Sequence, residues 1–250
     1  LFRNMPGACF AGRIHEHAFG SLERHLEEWG MDNKLGNAQL RHHGYSDQVV
    51  KERSKVDRNL RLLSVAIEEQ PQDVSLRMSY GLELVRSGQL DSGLEEYYRA
   101  FNLMNRQPTA KTPPELRERL LTLLGSHLVT AQRFQSLIEL AGTSAAAATG
   151  PTASLHMLFG VGFFLQKKFE DAAKHLKSCL AKRNQPALSP ILPDIHSVAP
   201  RHMLALAYVQ LGKAPEAIKE YRLALEEDPS SVKVRMDYAR LLEQSEQWIP

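Results

Sequence analysis

The amino-acid sequence predicts an all-α protein built from helix-turn-helix repeats that stack into a solenoid. Small residues recur in a fixed frame along the chain, at Gly81, Gly125, Gly160, Ala205 and Ala239. These positions are separated by about 44, 35, 45 and 34 residues, a spacing typical of helical repeats. Large apolar or aromatic residues follow each small residue at helical spacing. Because each helix pair leaves an apolar face that only its neighbour covers, we expect the units to stack.

The clearest unit of the frame is Arg201–Pro229. In it, the small residues Ala205 and Ala217 let two helices approach closely. Tyr208 and Tyr221 fill the space beside them. This pattern resembles the tetratricopeptide (TPR) repeat family, which has a helix-turn-helix unit of about 34 residues. We therefore assign residues 51–250 to a TPR repeat domain and residues 1–50 to a separate segment.

Three further units follow the same frame with different degrees of completeness. The unit around Gly81 matches in both of its helices. The unit around Gly160 carries Lys167 at the turn, where the clearest unit has a glycine. In the unit around Gly125 the second helix is expected to be short, because the sequence becomes alanine-rich after Ser144. A single lysine in place of a turn glycine does not remove the unit from the frame.

Half-units and insertions complete the frame. Asp57–Pro71 is interpreted as a lone second helix, and Val232–Trp248 as a lone first helix. The two long separations are explained by insertions at Asn102–Pro114 and Lys182–Pro200, which are rich in proline. Since proline cannot continue a helix, we expect loops there.

The amino-acid composition indicates which kinds of partner and which cellular compartment are expected. The 31 basic and 29 acidic side chains give a net charge of +2 and are spread along the chain, which argues against nucleic acid. Two distant cysteines form neither a disulfide framework nor a metal site, which favours a reducing compartment, the cytoplasm. The longest apolar stretch, Leu155–Leu165, is shorter than the roughly 20 residues of a membrane span, so no transmembrane segment is expected.

The first 50 residues do not fit the repeat frame. Their pattern predicts a short strand at Ala8–Ile14, a helix at Ser21–Trp29 and an extended segment near Gln39–His43. Half of the ten histidines fall in this segment, which raises the question of a metal. These histidines are His15, His17, His25, His42 and His43.

Four stretches of this region resemble, in order and approximate spacing, the C-terminal end of family 2 glycosyltransferases that carry a TPR extension. They are Leu1–Asn4, Gly12–Glu16, His42–Tyr45 and Lys55–Leu63. The resemblance implies that residues 1–50 are a small α/β remnant of a GT-A domain whose first part precedes Leu1. It also implies sugar transfer from a nucleotide-sugar donor in the intact protein.

The same resemblance implies roles for two residues. In the intact enzyme His15 would be a ligand of a divalent cation, manganese or magnesium, and Glu16 a catalytic residue near the acceptor. The donor-binding half with its Asp-x-Asp motif is absent from these residues, so this chain alone is expected to hold no cofactor and to be inactive. The plainer alternative is that His15 and Glu16 end a strand and pair with surface groups.

The inner surface of the repeat array is the remaining candidate site. Its first-helix positions are mostly apolar, and a groove that binds extended peptide is one interpretation. A contact with the missing catalytic domain is another, and a TPR interaction scaffold without any catalytic role is the rival function. The recurring aromatic residues are assigned to the core. The predicted groove residues are Met78, Leu82, Met157, Val161, Phe164, His202 and Leu206.

Overall fold

The structure, a computed structural model, describes residues 6–7, 25–30, 54–107, 112–185 and 192–244. Within these ranges the backbone forms helices and turns, and no strand occurs. This confirms the all-α repeat prediction for the described part of the chain. The molecule forms two compact units, Leu1–Glu96 and Tyr97–Pro250.

In the first unit, α1 (Leu26–Trp29) lies within the helix expected at Ser21–Trp29, and α2 (Ser54–Glu69) packs against α3 (Val74–Arg86). The side chain of Asp73 caps α3, since its Oδ1 accepts a hydrogen bond from the N–H of Leu76 at 2.9 Å. The first turns of α4 (Leu90–Arg106) lie against α3. The unit buries Leu63, Ala66, Val74, Met78, Leu84 and Leu94.

The second unit continues from α4 through a series of helices in which chain neighbours pack together. In chain order they are α5 (Pro114–Thr130), α6 (Phe134–Ala141), α7 (Ser144–Thr149), α8 (Ala153–Leu165), α9 (Phe169–Lys182), a 3₁₀ helix (Pro193–His196), α10 (Ala199–Gln210), α11 (Ala214–Glu227) and α12 (Val232–Gln244). The pairs α8–α9 and α10–α11 make the most extensive contacts, and α9 also packs on α10. The second unit therefore shows the stacked helix pairs that the frame predicts.

The turn inside each helix pair has the same backbone conformation at the same position of the frame. In each of these turns one residue has a left-handed backbone conformation, with positive φ. These residues are Gly88 (φ 89°), Gln132 (φ 56°), Lys167 (φ 58°) and Gly212 (φ 69°). The N–H of the next residue donates a hydrogen bond to a carbonyl in the last turn of the first helix. In one turn, the N–H of Lys168 donates to the C=O of Phe163 at 2.9 Å. Lys167 thus occupies the glycine position, as the sequence indicates, in a conformation that a side chain disfavours.

Small residues stand where helices approach most closely. A Cβ placed on Gly160 of α8 would lie 2.8 Å from Cγ of Leu176 in α9, which is fully buried. A Cβ on Gly162 would lie 2.9 Å from Cδ2 of Leu137 in α6. The glycines of α8 therefore allow this helix to pack against α9 and α6 at once.

Two of the expected loops are shorter than predicted. Residues 102–106 continue α4, and Pro114 begins α5 at a position where a proline needs no backbone N–H. In the second insertion, residues 193–196 form the 3₁₀ helix, and its Ile195 is buried in the core. The second helix of the unit around Gly125 is short, as expected: α6 has 8 residues, and the alanine-rich stretch after it forms the separate helix α7.

The remaining predictions for the N-terminal region lie outside the described residues. These are the strands at residues 8–14 and 39–43, and with them the GT-A remnant. The end of the lone helix predicted to reach Trp248 also lies outside, since α12 is described to Gln244. The division into segments 1–50 and 51–250 stays a prediction.

Candidate functional site

The predicted groove residues fall into two groups by burial. Three are buried: Met78 with 2%, Met157 with 7% and His202 with 6% of its surface exposed. Four are half-buried: Leu82, Val161, Phe164 and Leu206. Only the half-buried side chains offer surface to a partner, and binding at this surface stays a prediction.

In the second unit three half-buried residues belong to α8 and α10, which contact each other. We call Val161, Phe164 and Leu206 the first-helix surface. Val161 and Leu206 occupy equivalent positions, because each directly follows the small residue of the frame. Phe164 packs edge-on against Phe169, with ring centroids 5.5 Å apart. These residues present apolar atoms to solvent on consecutive first helices.

His202 has a structural contact that the sequence did not indicate. Its Nε2 lies 2.8 Å from Oδ2 of Asp237, so the side chain ties α10 to α12. Asp237 also accepts a hydrogen bond from Arg240 at 3.2 Å. Since His202 is buried and has this polar partner, its geometry is that of a packing residue.

Two half-buried histidines pair between α8 and α9. Nδ1 of His156 lies 3.0 Å from Nδ1 of His175. Burial, the neighbouring His175 and Lys182 lower the pKa of His156 to about 4. Burial and Lys174 also lower the pKa of His175, whereas Asp171 acts in the opposite direction. Both rings are therefore neutral near pH 7, and the Nδ1–H of one ring donates a hydrogen bond to Nδ1 of the other.

An open groove of about 380 Å³ lies between α9 and the end of α10. We call it the lysine groove. Three lysines of its lining are exposed, while Ala173 and Tyr208 are buried beneath them. The ammonium of Lys177 lies 5.2 Å from the ring centroid of Tyr208, a cation–π distance. The lining consists of Glu170, Ala173, Lys174, Lys177, Ser178, Tyr208, Leu211 and Lys213.

His15 and Glu16 lie outside the described residues, so their proposed roles stay predictions. Elsewhere in the described ranges, no group of three or more histidine, cysteine, aspartate or glutamate side chains is arranged to hold a metal ion. None of the described helices combines the length and the apolar character needed to cross a membrane.

Comparison with known proteins supports the TPR repeat. Residues 198–241 match the family model described as Tetratricopeptide repeat. No curated protein matches the chain. Among solved structures, YrrB, described as a TPR protein with an unusual peptide-binding site, has a TM-score of 0.58 and 15% identity over 74% of this chain and 84% of its own.

Two MamA structures show the same likeness. MamA of AMB-1 has a TM-score of 0.53 and 20% identity, over 75% of this chain and 99% of its own. MamA from Desulfovibrio magneticus RS-1 has a TM-score of 0.54 and 14% identity, over 74% of this chain and 93% of its own. At these identities the likeness shows the fold, which is that of a TPR-type helical repeat.

Proposed function

We propose that this chain is a protein-interaction scaffold that binds a peptide segment of a partner at its first-helix surface. The observation that carries the proposal is the half-burial of Val161 and Leu206 at equivalent positions of consecutive repeats. Large apolar side chains in contact with solvent at a repeated spacing suit the side chains of an extended or helical peptide. This is the scaffold function that the sequence analysis kept as the rival to an enzyme.

The fold and the chemistry of the site support the scaffold proposal over catalysis. The solved structures of this fold include YrrB, whose description names a peptide-binding site. On α10, next to this surface, Nε2 of the buried His202 lies 2.8 Å from Oδ2 of Asp237. A surface of apolar residues beside paired polar groups suits binding rather than bond-breaking chemistry.

The test is to select peptides on the intact chain and locate where they bind. A phage-displayed library of random peptides, selected on the immobilised protein, supplies binders. Amide hydrogen exchange with and without a selected peptide then gives a footprint. We expect protection to concentrate in α8 and α10, around Val161 and Leu206.

Two outcomes would contradict the scaffold proposal. One is that repeated selections enrich no peptide. The other is that the enriched peptides protect only regions outside α8 and α10. A peptide in which the apolar residues are replaced by serine is the control, and it should leave the exchange of both helices unchanged.

We propose further, on the N-terminal sequence alone, that a longer parent protein transfers sugar. The support is the order of four motif-like stretches, from Leu1–Asn4 to Lys55–Leu63, that resemble family 2 glycosyltransferases. His15 would bind manganese or magnesium, Glu16 would act near the acceptor, and the nucleotide-sugar would bind upstream. A cytoplasmic location is proposed from cysteine usage.

The coding sequence upstream of Leu1 tests this second proposal. Family 2 membership requires about 200 residues of alternating strands and helices with an Asp-x-Asp motif, which binds the metal and the donor diphosphate. Finding that motif would favour the enzyme. An upstream sequence without such a domain would sink the proposal and leave the scaffold proposal untouched.

A further inference from the structure

We propose that the lysine groove binds an acidic peptide segment that carries a large apolar side chain among its carboxylates. This inference rests on the proposed scaffold function, because it assumes that the chain binds peptides. The lysine groove is a different surface from the first-helix surface, and its ligand has a different chemistry. None of the groove residues belongs to the first-helix surface.

The charge of the lysine groove is the first observation. Lys174, Lys177 and Lys213 point to one depression from α9 and from the turn after α10. In the described part of the chain, none of the three forms an ion pair with a carboxylate. Glu170 is the one acidic residue of the lining. The groove therefore carries an excess of positive charge that a carboxylate-rich segment complements.

The contrast with other cations of the same unit strengthens this observation. Arg201 pairs with Glu220 at 3.0 Å and with Glu227 at 2.6 Å, and Arg183 also pairs with Glu227. Arg201 thus joins α10 to α11 within one helix pair, and Arg183, at the end of α9, is joined to α11 of the next pair. The groove lysines form no comparable ion pair in the described part of the chain, although Lys177 lies over the ring of Tyr208.

The floor of the groove is apolar, which is the second observation. Ala173 and Tyr208 are buried and Leu211 is half-buried, so a side chain placed between the lysines meets carbon atoms. The volume of about 380 Å³ is at the lower end of the range of ligand pockets. It accommodates one large aliphatic or aromatic side chain with the carboxylates of its neighbours at the rim.

Lys177 connects the charged rim to the apolar floor. Its ammonium lies over the Tyr208 ring at 5.2 Å from the centroid, which holds one positive charge close to the floor. A peptide carboxylate can bind this ammonium while the adjacent apolar side chain lies on Leu211. Acidic residues next to an apolar residue therefore match the groove better than a uniformly acidic chain.

Binding of a defined peptide to the intact chain tests the inference. The probe is Glu-Glu-Phe-Asp-Glu-Leu-Asp-Glu-amide with fluorescein attached to its N-terminal amine, and binding is measured by fluorescence anisotropy at low salt. We expect saturable binding that weakens as salt is added, because the contacts are between exposed charges. The neutral peptide with glutamine and asparagine at the acidic positions should bind at least about tenfold more weakly.

Matched charge reversals locate the site. The double variant Lys174→Glu/Lys213→Glu should weaken binding of the acidic peptide at least about tenfold. The double variant Lys219→Glu/Lys233→Glu makes the same change in net charge at exposed lysines outside the groove. This control should stay within about twofold of wild type, and circular dichroism should show equal helix content in all three proteins.

The outcomes that overturn the inference are distinct from those that overturn the scaffold proposal. No binding up to about 1 mM peptide, or equal loss in both double variants, would overturn it. A peptide with phosphoserine in place of glutamate that binds more than about tenfold tighter would make phosphate the ligand and also overturn it. Val161→Glu should leave binding of the acidic peptide unchanged, because Val161 lies outside the lysine groove. The scaffold proposal is tested separately, by peptides whose binding depends on Val161.

Discussion

Nδ1 of His156 lies 3.0 Å from Nδ1 of His175, at a position where two other helix pairs of the chain place an arginine and a glutamate. Arg77 contacts Glu96 at 3.0 Å, and Arg201 contacts Glu220 at 3.0 Å. In all three cases the partners are 19 residues apart. The histidine pair therefore replaces an ion pair that recurs between first and second helices.

We predict that this pair makes the chain less stable in mild acid. Folding lowers the pKa of both histidines below the usual value near 6.5, so the unfolded chain binds more protons. Stability is then fully present above about pH 6.5 and is lost as the pH falls toward 4, the pKa of folded His156. Because both rings are partly exposed, solvent screens the effect. We expect Tm to fall by about 2 to 4 °C between about pH 7 and pH 5 from this pair.

The double variant His156→Arg/His175→Glu provides the control for this prediction. It restores the arginine and glutamate of the other two helix pairs and removes both titrating rings. Its Tm should change less than that of wild type over the same pH range, as measured by circular dichroism melts. The same acid sensitivity in both proteins would assign the effect to other groups.

Lys167→Gly should stabilise the protein. Lys167 has φ of 58°, and a side chain in the left-handed region costs about 1 to 2 kcal/mol, part of which is offset by the greater freedom of glycine in the unfolded chain. We expect a net gain of about 1 kcal/mol in the free energy of unfolding, measured by urea denaturation. Gly212→Lys is the reciprocal change, at φ of 69°, and should lower the free energy of unfolding by a similar amount.

Gly160→Ala should destabilise the protein although alanine is the better helix former. Its Cβ would lie 2.8 Å from Cγ and 2.9 Å from Cδ2 of buried Leu176, so the Leu176 side chain or one of the two helices must shift. We expect a loss of about 1 to 3 kcal/mol by chemical denaturation. Gly142→Ala is the matched control, since its Cβ would meet nothing nearer than 3.6 Å. Equal stabilities of the two variants would mean that α8 and α9 are not packed as described.

Cys179 should react slowly with thiol reagents in the folded protein. It is fully buried at a position where other units of the frame have alanine, and burial raises its pKa to about 11. Few thiolates form near pH 8, and the reagent cannot reach them. In a Cys9→Ser background, we expect modification by a disulfide reagent to be at least about 100-fold slower than in denaturant. Equal rates would show that this core position is open.

The repeat frame could be predicted because its signals are local and periodic. Small residues such as Gly160 and Ala205 mark close helix contacts, and the turn position remained recognisable even with Lys167 in place of glycine. The buried cysteine could be predicted for the same reason, since position 179 has an alanine equivalent at Ala224. Each of these conclusions needs only the spacing of residues along one helix pair.

The features that the sequence analysis missed depend on contacts between elements. The 3₁₀ helix at Pro193–His196 forms in a proline-rich stretch because two tertiary contacts stabilise it. Ile195 is buried in the core, and the N–H of Leu192 donates a hydrogen bond to Oγ of Ser154. The lysine groove is formed by residues of α9 and of the turn after α10, which are distant in sequence. In the sequence alone, its lysines are indistinguishable from those of an ordinary solvated surface. The histidine pair did carry a signal, the separation of 19 residues that it shares with the two ion pairs.

The affinity of one selected peptide for wild type and for three variants tests most directly whether the first-helix surface binds peptide. The proteins to compare are wild type, Val161→Glu, Leu206→Glu and Leu165→Glu. Leu165 is the control, because it lies on the same helix as Val161 and is already 48% exposed. Thermal melts establish that all four proteins are folded at the temperature of the measurement.

We predict that Val161→Glu and Leu206→Glu each raise the dissociation constant at least about tenfold, because a carboxylate replaces an apolar contact with the peptide. Leu165→Glu should leave the constant within about twofold of wild type. If all four proteins bind the selected peptide with the same affinity, the first-helix surface is not the peptide-binding site.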